Sequence, residues 1–297
     1  MNLQDYLRKQ QPAETVCELV SVITGAVATI KSEFLGGDEK TGIFNIYGEE
    51  EIKIDKKANQ ILIDVLSKSG LVSQIASEEE KEILQCNSNR AHFAVTLDPL
   101  DGSSLIPTDL AVGTIISIYG NGDVLSGLGE ISAAFYILYG PLTLIVFADQ
   151  KGVSQFVQDK NGVFQLVKEK ILIPDGNLYG SGGLRKDWLP GHKKYIETLE
   201  NEGYKLRYSG SGVADIHQIL TYGGVFSYPA LQEKPQGKLR LLIEVGPWCY
   251  IIEKAGGLGT NGKTRILELT PQKVDERTPV YVGSKNAVRR AAQFLEQ

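Results

Sequence analysis

Between Val112 and Val167 apolar runs alternate with tight-turn signals, and this pattern constrains the fold more than any other feature. Val112 to Tyr119, Ile131 to Tyr139, Leu142 to Ala148, Val153 to Val157 and Val163 to Val167 read as strands, rich in β-branched and aromatic residues. Gly120-Asn121-Gly122-Asp123, Gly140-Pro141 and Asp159-Lys160-Asn161-Gly162 punctuate them as turn and hairpin connectors. Runs joined this way build a large mixed or antiparallel sheet, whose apolar faces need helical cover. Met1 to Gly36 offers such cover as two helical segments, with Leu19, Val20, Ile23, Val27 and Ile30 on one face. A further helix runs from Asp55, with Ala58, Ile61, Leu62, Val65 and Leu66 as its buried stripe and Gly70 as its stop. Gly37 to Tyr47, polar and glycine-punctuated, reads as a loop.

Pro174-Asp175-Gly176-Asn177 reads as a connection between domains. Beyond it the spacing predicts helices over Tyr195 to Glu202, Val213 to Thr221, Trp248 to Lys254 and Ala287 to Leu295. Short extended segments fall at Lys205 to Tyr208, Gly224 to Tyr228, Leu239 to Glu244, Arg265 to Leu269 and Val280 to Val282. The expectation is an α/β fold (an α+β sandwich) divided at 1–173 and 174–297. A formal net charge of -5 and the lack of a basic tract argue against nucleic acid or an anionic membrane as partner. No run approaches the ~20 apolar residues of a membrane span. Cys17, Cys86 and Cys249 are far apart and form no C-x-x-C pair, which points to a reducing, cytoplasmic setting.

Chemistry concentrates in Thr96-Leu97-Asp98-Pro99-Leu100-Asp101-Gly102-Ser103-Ser104. The apolar run from His92 to Leu97 reads as a buried strand, so two carboxylates three positions apart stand at its end. They are hard-oxygen ligands suited to Mg²⁺, and the Gly102-Ser103-Ser104 backbone can cradle a phosphoryl oxygen. A plain surface turn is the competing reading of that segment. Ser77-Glu78-Glu79-Glu80-Lys81, taken alone, reads as an acidic helix start capped by Ser77. Gln236 to Glu244 alternates as a strand would, placing Lys238 and Arg240 on one face in line with Glu244. Two cations and a carboxylate there suit a phosphorylated substrate beside a metal.

Ser209-Gly210-Ser211-Gly212, preceded by Arg207-Tyr208 and opening a helix, exposes backbone N–H groups beside a guanidinium. Gly257-Leu258-Gly259-Thr260-Asn261-Gly262-Lys263-Thr264 matches the nucleotide-binding pattern G-x-x-x-x-G-K-T but in the wrong context. That loop must leave a strand and open a helix; here it follows a helix and leads into an extended segment, so it reads as a cap and turn. The three histidines form no nucleophilic system, and His217 falls inside a helix. Hydrolysis would require metal-activated water.

Together these pieces resemble the class I fructose-1,6-bisphosphatases of the lithium-sensitive, magnesium-dependent phosphatase superfamily. The pattern is an acidic pair (Glu78-Glu79), then Asp98-Pro99-Leu100-Asp101-Gly102-Ser103, then a distant carboxylate (Glu244). The stretches Gly237-Lys238-Leu239-Arg240-Leu241-Leu242-Ile243-Glu244 and Glu253-Lys254-Ala255-Gly256-Gly257 are similar to the family's C-terminal signatures. The resemblance implies a layered α-β-α-β-α architecture, with metal and phosphate bound by 1–173 and the sugar phosphate by 174–297. It implies Glu78, Glu79, Asp98, Asp101, Glu244 and the Leu100 carbonyl as ligands for two or three Mg²⁺ per subunit, with Mn²⁺ as a substitute. Asp55 and Glu78 would orient and deprotonate the attacking water, and Glu49 would lie on a loop closing over the site. Asp101, Gly102, Ser103, Ser104 and Arg240 would address the reacting phosphate and nearby sugar. Tyr208, Tyr228 and Lys238 would bind the second phosphate, with Arg207 reaching a neighbouring subunit of a homodimer or homotetramer. The implied substrate is fructose-1,6-bisphosphate, cleaved at its 1-phosphate.

The chain departs from the family's pattern at several points. Leu105 stands where Asn is usual, Pro107 replaces an acid, Ser181-Gly182-Gly183-Leu184 replaces an Asn-Glu-Gly-Tyr segment, and Gly212 stands where Met is common. Leu105, Gly183-Leu184-Arg185 and Asp275-Glu276-Arg277-Thr278 are closer to sedoheptulose-1,7-bisphosphatases, which leaves that substrate, or both, as the alternative. An inositol-phosphate or nucleotide phosphatase is a further same-superfamily reading, and a non-catalytic sensor a third. Gln10 to Thr15 lacks the family's AMP-binding Gly-Thr-Gly-Glu core, and His92-Phe93 replaces its Lys-Tyr pair, so weak or absent AMP inhibition is expected.

Overall fold

The computed structural model describes residues 1–10, 14–36, 40–44, 50–86, 88 and 91–295. Helices α1 (Leu3–Gln10), α2 (Glu14–Gly25) and α3 (Val27–Ser32) open the chain. Strands β1 (Lys40–Phe44) and β2 (Glu50–Ile52), helix α4 (Lys53–Ser69), and strands β3 (Val72–Ser77), β4 (Leu84–Gln85) and β5 (Phe93–Asp101) follow. The meander is β6 (Val112–Tyr119), β7 (Ile131–Tyr139), β8 (Thr143–Asp149), β9 (Gly152–Gln158) and β10 (Phe164–Lys168). The remainder is β11 (Leu178–Ser181), α5 (Pro190–Asn201), β12 (Lys205–Leu206), α6 (Gly212–Tyr222), β13 (Gly224–Tyr228), α7 (Gly246–Lys254), β14 (Leu258–Thr260), β15 (Val280–Gly283) and α8 (Lys285–Leu295).

An eight-stranded sheet runs in the order β10-β9-β8-β7-β6-β5-β3-β4, and a five-stranded sheet in the order β12-β11-β13-β15-β14. Both are mixed: β3 pairs parallel with β5, and β11 parallel with β12 and β13, while the other pairings of these two sheets are antiparallel. Side-chain alternation explains the layering. On β7, Phe135 and Ile137 face a core with Leu7 and Leu19 of the N-terminal helices and Leu62 of α4; Tyr136 and Leu138 face Ile216 of α6 and Trp248 of α7. That second layer also receives Phe226 and Val282 of the smaller sheet. Val225 and Tyr281, on the smaller sheet's other face, pack on Tyr195 of α5 and Val288 of α8. The order is helix, sheet, helix, sheet, helix, as the resemblance implies.

Several local expectations need correction. The N-terminal segment forms three helices, because the chain breaks at Ala26. Within the predicted loop, Lys40–Phe44 is a strand paired antiparallel with β2. The helix predicted from Asp55 begins at Lys53. Arg265 to Leu269 holds a 3-10 turn (Ile266–Glu268); Leu258–Thr260, read as part of a turn, is a strand of the smaller sheet, as is Leu178–Ser181, to which no element was assigned. Most consequential is the predicted strand Leu239 to Glu244. From Leu241 to Val245 it is a π-helical turn running directly into α7. The run is entirely buried, so no alternation of exposure distinguishes the two conformations. The nucleotide-like loop follows α7, forms β14, and turns through an Asn261 N–H bond to the Thr264 carbonyl, with no α-helix opening from it. Only its second half, Asn261 to Thr264, is the expected turn.

Candidate active site

Three segments of the large sheet's end deliver carboxylates to one cavity of about 480 Å³. The first is the end of β5. On a regular strand Asp98 and Asp101 would face opposite sides. The β5–β6 register shifts between them, at Pro99, and Thr114 Oγ1 donates to the Pro99 carbonyl (2.8 Å). This bulge turns both acids into the cavity. Gly102 then takes φ +78°, and a Cβ there would lie 2.6 Å from Ser211 Cβ, so only glycine fits. Asp101 Oδ2 accepts from Ser211 Oγ and the Val213 N–H, both at 2.8 Å, which ties β5 to the first turn of α6.

The second segment is the turn after β3. It is not the helix start predicted for it; Ser77 caps a bend by accepting the Glu79 N–H (3.3 Å). Asn59, one turn beyond Asp55 on α4, accepts from Ser77 Oγ (2.6 Å) and donates to Glu80 Oε1 (2.8 Å). Asp55 itself accepts from Ser103 Oγ (2.9 Å), and its buried Oδ1 has no hydrogen-bond partner among the described residues. The third segment is the π-turn. It folds Glu244 back so that its Oε2 accepts the Arg240 N–H (2.6 Å), and Arg240, 6% exposed, is ion-paired with Glu78. π-turns of this kind recur at functional sites.

The electrostatics follow from crowding acids in a recess. Burial pushes Asp98 well above the usual carboxylate range, with Asp101 and Glu244 adding to it. Burial raises Asp55 to about 7, with Glu79 contributing, and Glu244 to about 7 against the opposing pull of Arg240. Asp101 is raised by burial and held back by its bonds from Val213 and Ser211. Such a set stays ionised at neutral pH only if positive charge enters the cavity. Oxygen-only donors of this kind fit a hard divalent cation, and the orphaned Asp55 oxygen is consistent with one. Among the described residues no three acidic, histidine or cysteine side chains form a ready-made ligand cluster; Glu78 is committed to Arg240, and Glu80 to Asn59.

The cavity's more exposed lining comes from residues on and beside the smaller sheet. Tyr208, 45% exposed, stands after β12, and Tyr228 ends β13. Lys238 lies on the segment before the π-turn, which pairs with the stretch 276–278: the Leu241 N–H bonds Glu276 O (2.7 Å), the Thr278 N–H bonds Leu239 O (3.1 Å), and Arg240 bridges Arg277.

Family models for fructose-1-6-bisphosphatase match both parts of the chain, the N-terminal domain over residues 10–169 and the C-terminal domain over 172–296. This chain belongs to the fructose-1,6-bisphosphatase family. A class 1 fructose-1,6-bisphosphatase of Methanocorpusculum labreanum is 45% identical over 97% of this chain and 89% of its own length. One from Methanospirillum hungatei is 42% identical over 99% and 95%. The Leishmania major fructose-1,6-bisphosphatase superposes at 31% identity over 100% of this chain and 99% of its own. The TM-score is 0.94 for its holo form and 0.90 for its apo form.

Of the residues that resemblance to this family singled out, Asp55, Glu78, Glu79, Asp98, Leu100, Asp101, Gly102, Ser103, Ser104, Tyr208, Tyr228, Lys238, Arg240 and Glu244 all line the one cavity. Arg207 is exposed and outside its lining, and Glu49 lies outside the described residues. The sequence reading did not name Arg277, which lines the cavity and donates from its guanidinium to the Lys238 carbonyl. Its stretch Asp275 to Thr278 stood out only as a family departure. Asn59 was missed too, since a polar residue beside a buried helical stripe gives no signal of what it will meet.

Proposed function

We infer that this chain hydrolyses the 1-phosphate of fructose-1,6-bisphosphate, using water as the nucleophile and divalent metal, Mg²⁺ in two or three sites, as cofactor. The observation carrying this reading is one cavity that brings the carboxylates together with Lys238, Tyr208 and Tyr228. A doubly phosphorylated sugar needs both sets of groups. Glu78, Glu79, Asp98, Asp101, Glu244 and the Leu100 carbonyl would hold the ions, which when bound supply positive charge to the phosphoryl group and acidify water. Asp55, pushed up to about 7, is suited to take a proton near neutral pH, with Glu78 beside it in the same cavity. Arg240 stabilises charge on the phosphoryl oxygens once Glu78 releases it, and the Gly102, Ser103 and Ser104 backbone orients them. Lys238, Tyr208 and Tyr228 take the second phosphate. Arg207, exposed, is available to a neighbouring subunit of a homodimer or homotetramer, and Glu49 would complete the site by loop closure.

The named relatives favour fructose-1,6-bisphosphate over the sedoheptulose alternative. No helix among the described residues is long and apolar enough to cross a membrane, and cytoplasmic residence is part of this reading. So is weak or absent inhibition by AMP. Phosphate release from fructose-1,6-bisphosphate and sedoheptulose-1,7-bisphosphate, with Mg²⁺ and after chelation, tests the function. Faster Mg²⁺-dependent turnover of the fructose ester is expected; turnover of neither would refute it.

A further inference from the structure

The departure at Gly212 has a structural counterpart in Trp248. Gly212 is the first residue of α6, between Ser211 and Val213, whose hydroxyl and N–H hold Asp101 Oδ2 at 2.8 Å each. A Cβ on Gly212 would stand 2.3 Å from Trp248 Cη2 and 2.6 Å from Cζ2. The six-membered half of the indole therefore lies directly on the backbone that grips Asp101. Trp248 is completely buried on α7, packs edge-on against Phe226 (5.9 Å between centroids, 86°), and both rings wall the catalytic cavity. Its Nε1–H is buried with no hydrogen-bond partner. A buried indole normally satisfies that donor, so the polar atom does not explain why tryptophan is here. What the ring supplies is reach: it extends farther from α7 than phenylalanine could, and it fills the space a side chain at 212 would otherwise occupy.

We propose that Trp248 is a positioning residue for Asp101, acting through Gly212: the indole fixes the first turn of α6, and so sets where the Asp101 carboxylate stands. The two positions are a size-matched pair, large on α7 because small on α6. The cavity wall behind Asp101 is thereby closely packed on both sides: a Cβ on Gly102 would stand 2.6 Å from Ser211 Cβ, as one on Gly212 would stand 2.3 Å from Trp248. This rests on the reading of Asp101 as a metal ligand, and it predicts that the pair governs metal affinity and turnover rather than substrate affinity.

The test is a double-mutant cycle on the full chain with W248F, G212A and G212A/W248F. Three readouts are taken: Mn²⁺ affinity from the electron-spin-resonance signal of free Mn²⁺, kcat and KM for fructose-1,6-bisphosphate, and thermal melting without metal. W248F withdraws the far half of the ring; about tenfold weaker Mn²⁺ binding and about tenfold lower kcat are expected, with KM within twofold. G212A forces the ring away and should lose more in both. In the double variant the new methyl enters the space the shorter ring leaves, so Mn²⁺ affinity and kcat should recover at least fivefold over G212A. Independent effects, with the double variant no better than the product of the singles, overturn the proposal, as does a G212A protein within twofold of wild type. If G212A does not fold, W248F decides alone: a rise in KM with unchanged Mn²⁺ affinity overturns the pairing. Mn²⁺ binding does not depend on which ester is hydrolysed. A wild-type protein inactive on fructose-1,6-bisphosphate but coupled in Mn²⁺ affinity would therefore sink the substrate assignment and leave this inference standing.

Discussion

The two ends of the cavity are built differently. At the acidic end Asp98 and Glu244 are nearly inaccessible, and Asp101 is tied to the first turn of α6. Each acid is fixed by a distortion of regular structure: a bulge at Pro99, a left-handed Gly102, a π-turn at Leu241–Val245. At the more exposed end Tyr208 is 45% exposed, and Lys238 and Tyr228 are partly so. They stand at a strand's end or on a segment held by a few backbone bonds. The acidic end resembles a preorganised charge trap, in which burial stores electrostatic stress that a cation relieves. The open end can adjust to a ligand and supplies binding energy. The lesson is a division of labour, with rate set where the residues are buried and affinity where they are exposed.

The largest expected effect sharpens that division. D101N keeps the shape and an acceptor for the bonds from α6 while removing one negative charge, and kcat should fall by about 10²–10³ with KM changed little. Steady-state kinetics at saturating Mg²⁺ checks this, and an unaltered kcat would break the comparison. K238M, at the open end, should do the reverse. Losing one charge-assisted contact to a phosphate costs about 1.5–3 kcal/mol, so KM should rise about 10- to 100-fold while kcat holds. Competitive inhibition by fructose-6-phosphate should weaken in parallel.

The smallest effect concerns stability and its sign. Asp55 and Glu244 are raised by burial to about 7, so the folded metal-free protein holds protons that the unfolded chain has already released. Their contribution is full below the ordinary carboxylate range and is lost as pH rises through about 7. His192 and His217 are pushed down by burial to about 3 and about 4, and act oppositely, losing stability as pH falls below about 6.5. Between pH 6.5 and 8 the fall from the carboxylates outweighs what remains of the opposing histidine effect. The metal-free melting temperature should drop by a few degrees across that interval, and saturating Mg²⁺ should flatten the slope. A metal-free melting temperature that rises with pH would mean the acidic end is not under electrostatic stress.

The meander from β6 to β10 was legible because each strand is a short apolar run rich in β-branched and aromatic residues, bounded by its own turn residues, all within about ten residues. The acids of Asp98-Pro99-Leu100-Asp101-Gly102 were legible for a similar reason, since proline, glycine and carboxylates constrain one another locally. The π-turn was not. A uniformly buried apolar run carries no period, and the turn is held by Glu276, Arg277 and Thr278 from elsewhere in the chain. Asn59, Arg277 and the contact between Gly212 and Trp248 were illegible because each acts on a partner remote in sequence.

By itself, then, the amino-acid order determined which segments extend, which coil, where the chain turns, and that acidic and basic clusters of a phosphatase were present. Only the tertiary structure decided that Glu78, Asp101 and Glu244 share one recess with Lys238, that Glu244 arrives on a π-turn, and that burial lifts Asp55 and Glu244 to about 7. The reason is range. Backbone preference is set by a residue and its near neighbours, whereas desolvation and charge repulsion depend on whatever the packed layers bring within a few ångströms.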